Sequence, residues 1–321
     1  MLNASIAIIG GFLLLVWSAD RFVLGASAMA RNLGVAPLII GLTIVGFGTS
    51  APELMVSAIA AWNGNPALAI GNAIGSNITN IAMVLSVSAL VAPIVVKSEV
   101  LRRELPLMLL VMLFALALML DSDLSRGDGL MLMLGMCMMI YWVTMLGLRT
   151  RKSDPILDEF DVEIPEKMPM PKAIAWLTAG MIMLFVSSRM LVWGAVSIAQ
   201  HFGISDLVIG LTIIAIGTSL PELAAAVMSA YKDEHDLAIG NIIGSNMFNL
   251  LGVLAMPGLI SPGVVPAEIL SRDYPVMIGV SIAFFMMAYG FRRHGRINRL
   301  EAAVMLIGYI LYLFYLYQTA S

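Results

Sequence analysis

Glu53 and Glu222 each sit in the middle of a long apolar stretch, in the segments Gly48-Thr49-Ser50-Ala51-Pro52-Glu53 and Gly217-Thr218-Ser219-Leu220-Pro221-Glu222. A carboxylate at the centre of a bilayer costs several kcal/mol unless it has a partner or a wet cavity. No lysine or arginine lies in the same central stretches to pair with either acid. Two anions brought together in a low dielectric demand a cation or protons. The neighbouring residues supply more oxygen. Thr49, Ser50, Thr218 and Ser219 carry hydroxyls. Pro52 and Pro221 have no N–H, so the carbonyls of Gly48 and Gly217 lose their helical partners. Such carbonyls are tolerated at membrane depth where they line a cavity. A second polar group follows each first one: Gly71-Asn72-Ala73-Ile74-Gly75-Ser76-Asn77-Ile78-Thr79-Asn80, then Gly240-Asn241-Ile242-Ile243-Gly244-Ser245-Asn246-Met247-Phe248-Asn249. Ser76 and Asn80, like Ser245 and Asn249, are four apart and share a helical face.

This inventory is carboxylate, carbonyl, hydroxyl and amide. A hard cation such as Ca²⁺ takes six to eight oxygen ligands, and Na⁺ uses the same donors. Zinc or copper would prefer nitrogen and sulfur, but His201, His235 and His294 fall at expected loops. Hydrogen bonding between helices, without ion contact, is the competing role for the serines and asparagines. For the glutamates it is a protonated acid acting as helix glue. Gly71 with Gly75, and Gly240 with Gly244, are small-xxx-small pairs that let helices approach closely.

The elements that must position these residues are membrane spans. About 60% of the chain is hydrophobic and 12% charged, against roughly a quarter charged in soluble domains. Ile6–Trp17, Leu105–Leu120, Leu130–Leu148 and Val276–Tyr289 are nearly free of charge. Runs approaching ~20 apolar residues cross a hydrocarbon layer of ~30 Å. Ten spans are expected, at 5–27, 36–62, 66–91, 105–121, 128–148, 172–198, 205–231, 236–260, 274–290 and 300–317. The first has no basic leader and reads as a span rather than a cleaved signal. Cys137, the one cysteine, reads as a small core residue, and a disulfide framework is excluded. Asp233-Glu234-His235-Asp236 reads as a solvated loop.

The chain is an internal duplication. Residues 38–80 and 207–249 align without a gap at a constant offset of 169, with roughly half their positions identical. The register continues from Glu99–Pro106 onto Glu268–Pro275. The expected division is a first five-helix repeat at 1–148, a linker at 149–171 and a second repeat at 172–321. Five is odd, so the second repeat enters the membrane from the opposite side. The fold expected is all-α integral membrane, ten transmembrane helices as two inverted five-helix repeats, with the site near mid-membrane between them. Lysine and arginine concentrate in alternate loops, with five between Arg149 and Lys172. The positive-inside rule then places the linker in the cytoplasm and both termini outside the cell (inner) membrane. Asp20 aligns with Arg189 across the repeat, and these two are candidates for a pair across the pseudo-symmetry axis; snorkelling of Arg21 and Arg189 is the alternative.

The doubled GTSxPE and GNxxGSNxxN segments resemble the calcium/cation antiporter superfamily, specifically the bacterial and archaeal sodium/calcium exchangers, over nearly the whole chain. The resemblance implies a secondary antiporter that exchanges Ca²⁺ for Na⁺ by alternating access, with no cofactor and no enzymatic activity. It implies that Glu53 and Glu222 are the principal Ca²⁺ carboxylates and that Thr49 and Thr218 add backbone oxygens. It further implies that Ser50, Ser76, Ser219 and Ser245 line sodium sites with the carbonyls of Gly46 and Ala215, and that Asn80 and Asn249 complete the centre. Some relatives carry Asp at the position of Asn249, a feature linked to potassium use; here both repeats end in Asn. Exchange of Ca²⁺ for H⁺, or of another cation pair, is the nearest alternative. A channel or an intramembrane metal-dependent enzyme is more distant. No nucleotide-binding GxxxxGK[ST] loop is present, and no nucleic acid partner is expected; protein partners are left open.

Overall fold

The computed structural model describes residues 2–96, 101–150, 168–202, 215–289 and 295–320. Helices are numbered here in chain order. The first repeat contributes α1 (Leu2–Leu33), α2 (Pro37–Thr49), α3 (Ala51–Trp62), α4 (Pro66–Val91), α5 (Leu101–Met119) and α6 (Arg126–Thr150). The second contributes α7 (Met170–His201), α8 (Ala215–Thr218), α9 (Leu220–Tyr231), α10 (His235–Ile260), α11 (Ile269–Asp273 continuing as Tyr274–Tyr289) and α12 (Arg299–Ala320). Each expected span coincides with a helix or a broken helix pair, although 203–214, at the start of the seventh, lies outside the described residues. Among the described residues, seven helices are long and apolar enough on their own to cross a membrane, and the pair α2 and α3 makes an eighth. Helix α5 begins with Arg102, Arg103 and Glu104, which lowers its apolar share. The protein is thus an all-helical, multi-pass membrane protein. The expected linker falls mostly on 151–167, outside the described residues.

The repeats pack into each other. Helix α10 holds α2, α3, α5 and the first half of α6, while α4 holds α9, α11 and α12. These are the same partnerships with the halves exchanged. The α10 span is completely enclosed and α4 is mostly so, whereas α1, α6, α7 and α12 turn large apolar side chains outward. Outward apolar faces suit lipid, which offers no hydrophobic driving force between helices, so small residues must set the contacts. A Cβ on Gly240 would lie 2.7 Å from the Leu38 carbonyl oxygen, and one on Gly244 would lie 2.6 Å from that of Leu42. Helices α2 and α10 therefore approach backbone to backbone, as the small-xxx-small spacing predicts. For Gly71 and Gly75 no described atom lies within 4 Å of such a Cβ.

Two short ribbons complement the all-α expectation. Strand β1 (Ile94–Val95) pairs with β4 (Arg296–Ile297), and β2 (Asp123–Leu124) pairs with β3 (Gly263–Val264), both antiparallel. Each joins a loop of one repeat to a loop of the other. Extended loop segments that meet at the end of a bundle pair their backbone groups because burying them unpaired is costly.

Three side-chain expectations are corrected. Asp20 does not pair with Arg189: it accepts from Lys232 at 2.6 Å and lies 3.5 Å from Arg21. Arg21 also stacks over Trp176 with 5.0 Å to the ring centre. Arg189 is exposed in a shallow hollow with Phe185, Val186, Met190 and Trp193, which leaves the snorkelling alternative. Cys137 is exposed on α6 rather than part of the core, an outcome equally apolar when the surroundings are lipid. Of the acidic run, Asp233 is exposed, but His235 and Asp236 open α10 and are buried.

Candidate ion-binding site

Each expected break falls one or two residues before its proline. Helix α2 ends at Thr49, Ser50 leaves helical geometry at φ −83° and ψ 3°, and α3 resumes at Ala51 at an angle of 42°. The second repeat repeats this: α8 ends at Thr218, Ser219 sits at φ −90° and ψ 8°, and α9 starts at Leu220. Proline is tolerated in the first turn of a helix, where its missing N–H is not needed. Glu53 and Glu222 therefore stand in the first turns of α3 and α9, where unpaired backbone N–H groups favour a carboxylate. Both are buried, at 1% exposure.

The two repeats meet at these breaks. Ser50 Oγ of the first repeat donates to Glu222 Oε1 of the second at 3.4 Å. Thr49 Oγ1 donates to Asn241 Oδ1 at 3.2 Å and lies 3.4 Å from Ser245 Oγ. Ser245 Oγ donates to the Gly46 carbonyl at 3.4 Å, and the Ser50 N–H reaches that carbonyl at 3.1 Å. Ser76, Asn80, Ser219 and Asn249 are buried, and Thr218 is half-buried. Ala215 is the first residue of α8. The geometry thus links Gly46, Thr49, Ser50, Glu222 and Ser245 directly. It places Glu53 one turn from Ser50, and Asn80 and Asn249 one turn beyond Ser76 and Ser245.

Several of these oxygens are buried without a hydrogen-bond partner among the described residues: Oε2 of Glu53, Oε2 of Glu222, Oγ of Ser219, and Oδ1 of Asn80 and Asn249. An unsatisfied buried polar group costs about 1–3 kcal/mol, more when charged. A cation would satisfy carboxylate and neutral oxygens at once.

Other features were not read from the sequence. The helical turns beginning at Asn80 and Asn249 are widened to π geometry, over Asn80–Leu85 and Asn249–Val253. Such turns occur frequently at functional sites. Asn72, Asn241 and Ser57 also carry part of the arrangement. Asn72 donates to the backbone carbonyl of Glu53 at 3.1 Å, and Asn241 donates to that of Glu222 at 3.5 Å. The signal was present: both asparagines recur at the repeat offset within a quoted motif. It carried no role because their partners are backbone atoms of another helix.

Comparison with known proteins shows what the chain as a whole is similar to. The family model described as sodium/calcium exchanger protein matches residues 4–150 and again 172–318. The chain is 49% identical to CaxA of Alkalimonas amylolytica, over 99% of this chain and 100% of that one. It is 44% identical to the inner membrane protein YrbG of Escherichia coli, over 99% and 98%. Its fold is similar to that of the sodium-calcium exchanger NCX_Mj, with a TM-score of 0.84 at 31% identity, covering 98% of this chain and 99% of that one.

Proposed function

The chain belongs to the sodium/calcium exchanger protein family of membrane cation antiporters, and we propose that it exchanges Ca²⁺ for Na⁺ by alternating access. One observation supports this reading above the others. Two buried glutamates, one from each repeat, stand at helix breaks among oxygen donors, several of which lack a hydrogen-bond partner among the described residues. Glu53 and Glu222 supply the two negative charges that match Ca²⁺. Thr49, Thr218, Asn80 and Asn249 add neutral oxygens around the same ion. Ser50, Ser76, Ser219 and Ser245, with the carbonyls of Gly46 and Ala215, serve Na⁺. Monovalent ions need fewer formal charges each, so the same two carboxylates accept either load but not both.

The moving part is α1 with α7. These helices pack principally on each other, while the ribbons tie other loops of the two repeats together. Sliding of the pair across the α4 and α10 core would expose the site to one side at a time. The protein resides in the inner membrane with both termini outside and the 149–171 linker in the cytoplasm, a placement supported by the lysine and arginine asymmetry.

The test is ⁴⁵Ca uptake into vesicles containing the purified protein, at clamped pH, with and without an opposing Na⁺ gradient. Saturable uptake that requires the Na⁺ gradient is expected. Uptake driven by a pH gradient and indifferent to Na⁺ would overturn the ion assignment. Flux that neither saturates nor needs a counter-ion would indicate a pore.

A further inference from the structure

Glu53 hangs from a backbone that is braced on its far side. Asn72, on α4, uses one amide hydrogen on the Glu53 carbonyl at 3.1 Å and the other on Ser57 Oγ at 3.0 Å. Ser57 Oγ donates in turn to the Ala69 carbonyl at 3.2 Å. Glu53 and Ser57 are four apart on α3, so the carbonyl and the hydroxyl share a face. The Asn72 amide has two hydrogens and both are used. The Ser57 hydroxyl both accepts and donates, and it is fully buried. A hydrogen-bonded network of this kind rigidifies what it holds.

The second repeat has only half of it. Asn241 stands where Asn72 does, and Ala238 where Ala69 does, but Ala226 replaces Ser57. Without that hydroxyl, Asn241 approaches the Glu222 carbonyl only to 3.5 Å, and its Oδ1 receives Thr49 of the other repeat. We infer that Ser57 and Asn72 are positioning residues that hold Glu53 in its cation-binding place, and that Ala226 leaves Glu222 the more adjustable of the two carboxylates. One rigid and one adjustable acid let a single cage close on one divalent ion or open for monovalent ones. This rests on the reading of Glu53 as an ion ligand.

The test uses the full-length protein in vesicles with a fixed Na⁺ gradient, measuring initial ⁴⁵Ca uptake against Ca²⁺ concentration. Loss of one net hydrogen bond in Ser57→Ala is expected to raise KM for Ca²⁺ about three- to tenfold, with the maximal rate within about twofold. Ser57→Thr keeps the hydroxyl and should restore KM. Because Ser57 acts through Asn72, the double variant Ser57→Ala/Asn72→Ala should be no worse than Asn72→Ala alone. Ala226→Ser completes the second brace and should lower KM for Ca²⁺, an effect removed by Asn241→Ala; it answers the question even if Ser57→Ala inserts poorly. Unchanged KM in Ser57→Ala and Ala226→Ser, or additive effects in the double variant, would overturn the inference. Glu53→Gln, run alongside, separates the two readings. If it still transports Ca²⁺, the ligand role of Glu53 is wrong. If it is inactive while Ser57→Ala keeps a normal KM, only the brace is wrong.

Discussion

The hydroxyl of Ser50 donates to Oε1 of Glu222 across the boundary between the repeats, at 3.4 Å. Ser50 is the residue at which the first broken span bends, and Glu53 lies three positions further on. The break of one repeat thus touches the acid of the other. In the proposed mechanism, cation binding at either acid is felt by both halves.

Glu53→Gln and Glu222→Gln should each reduce Na⁺-driven Ca²⁺ uptake roughly a hundredfold or more, the scale expected for losing a charged contact in a buried site. Each change keeps the shape and one oxygen, so folded protein should remain in the membrane. Retention of more than a tenth of the activity by either variant would mean that neutral carbonyls dominate Ca²⁺ binding.

Asn249→Asp should make transport more sensitive to acid. In the proposed site the substitution adds a third carboxyl to the two of Glu53 and Glu222, and clustered acids cannot all ionise without enough bound cations. Protons therefore compete at higher pH, and the midpoint of the Ca²⁺ uptake profile should move upward, with activity lost earlier as pH falls. A pH profile identical to that of the parent, at normal expression, would place Asn249 outside the ion site.

Gly240→Val and Gly244→Val should separate α2 from α10, because the new side chains would collide with the carbonyls of Leu38 and Leu42. Overpacking of this kind costs about 1–3 kcal/mol or more, so a lower melting temperature in detergent should accompany loss of transport. Gly279→Ala is the control: no described atom lies within 4 Å of the added Cβ, and its melting temperature should match the parent. Equal melting temperatures for all three would contradict the close backbone approach.

Reporter tags at either terminus should be accessible from outside the cell, and tags within 152–168 from the cytoplasm. The lysine and arginine asymmetry motivates this. A C-terminal tag that reports the cytoplasm would require a different number of crossings.

The sequence by itself determined that this chain crosses a membrane, that it does so as a duplicated unit, and where its acids and helix breaks fall. Those properties are one-dimensional. Apolar length sets a span, Pro52 and Pro221 set the breaks, and a constant offset of 169 relates the halves. Only the tertiary structure decided which side chains meet. Repeat alignment set Asp20 against Arg189, yet packing of α1 places Asp20 beside Lys232. The same motif left Asn72 and Asn241 without roles, because their partners are backbone carbonyls on neighbouring helices. The π turns at Asn80 and Asn249 and the two ribbons between repeats were likewise invisible. The reason is physical. A partner across a helix interface is selected by crossing geometry and by the depth each side chain reaches, and neither is written in local periodicity.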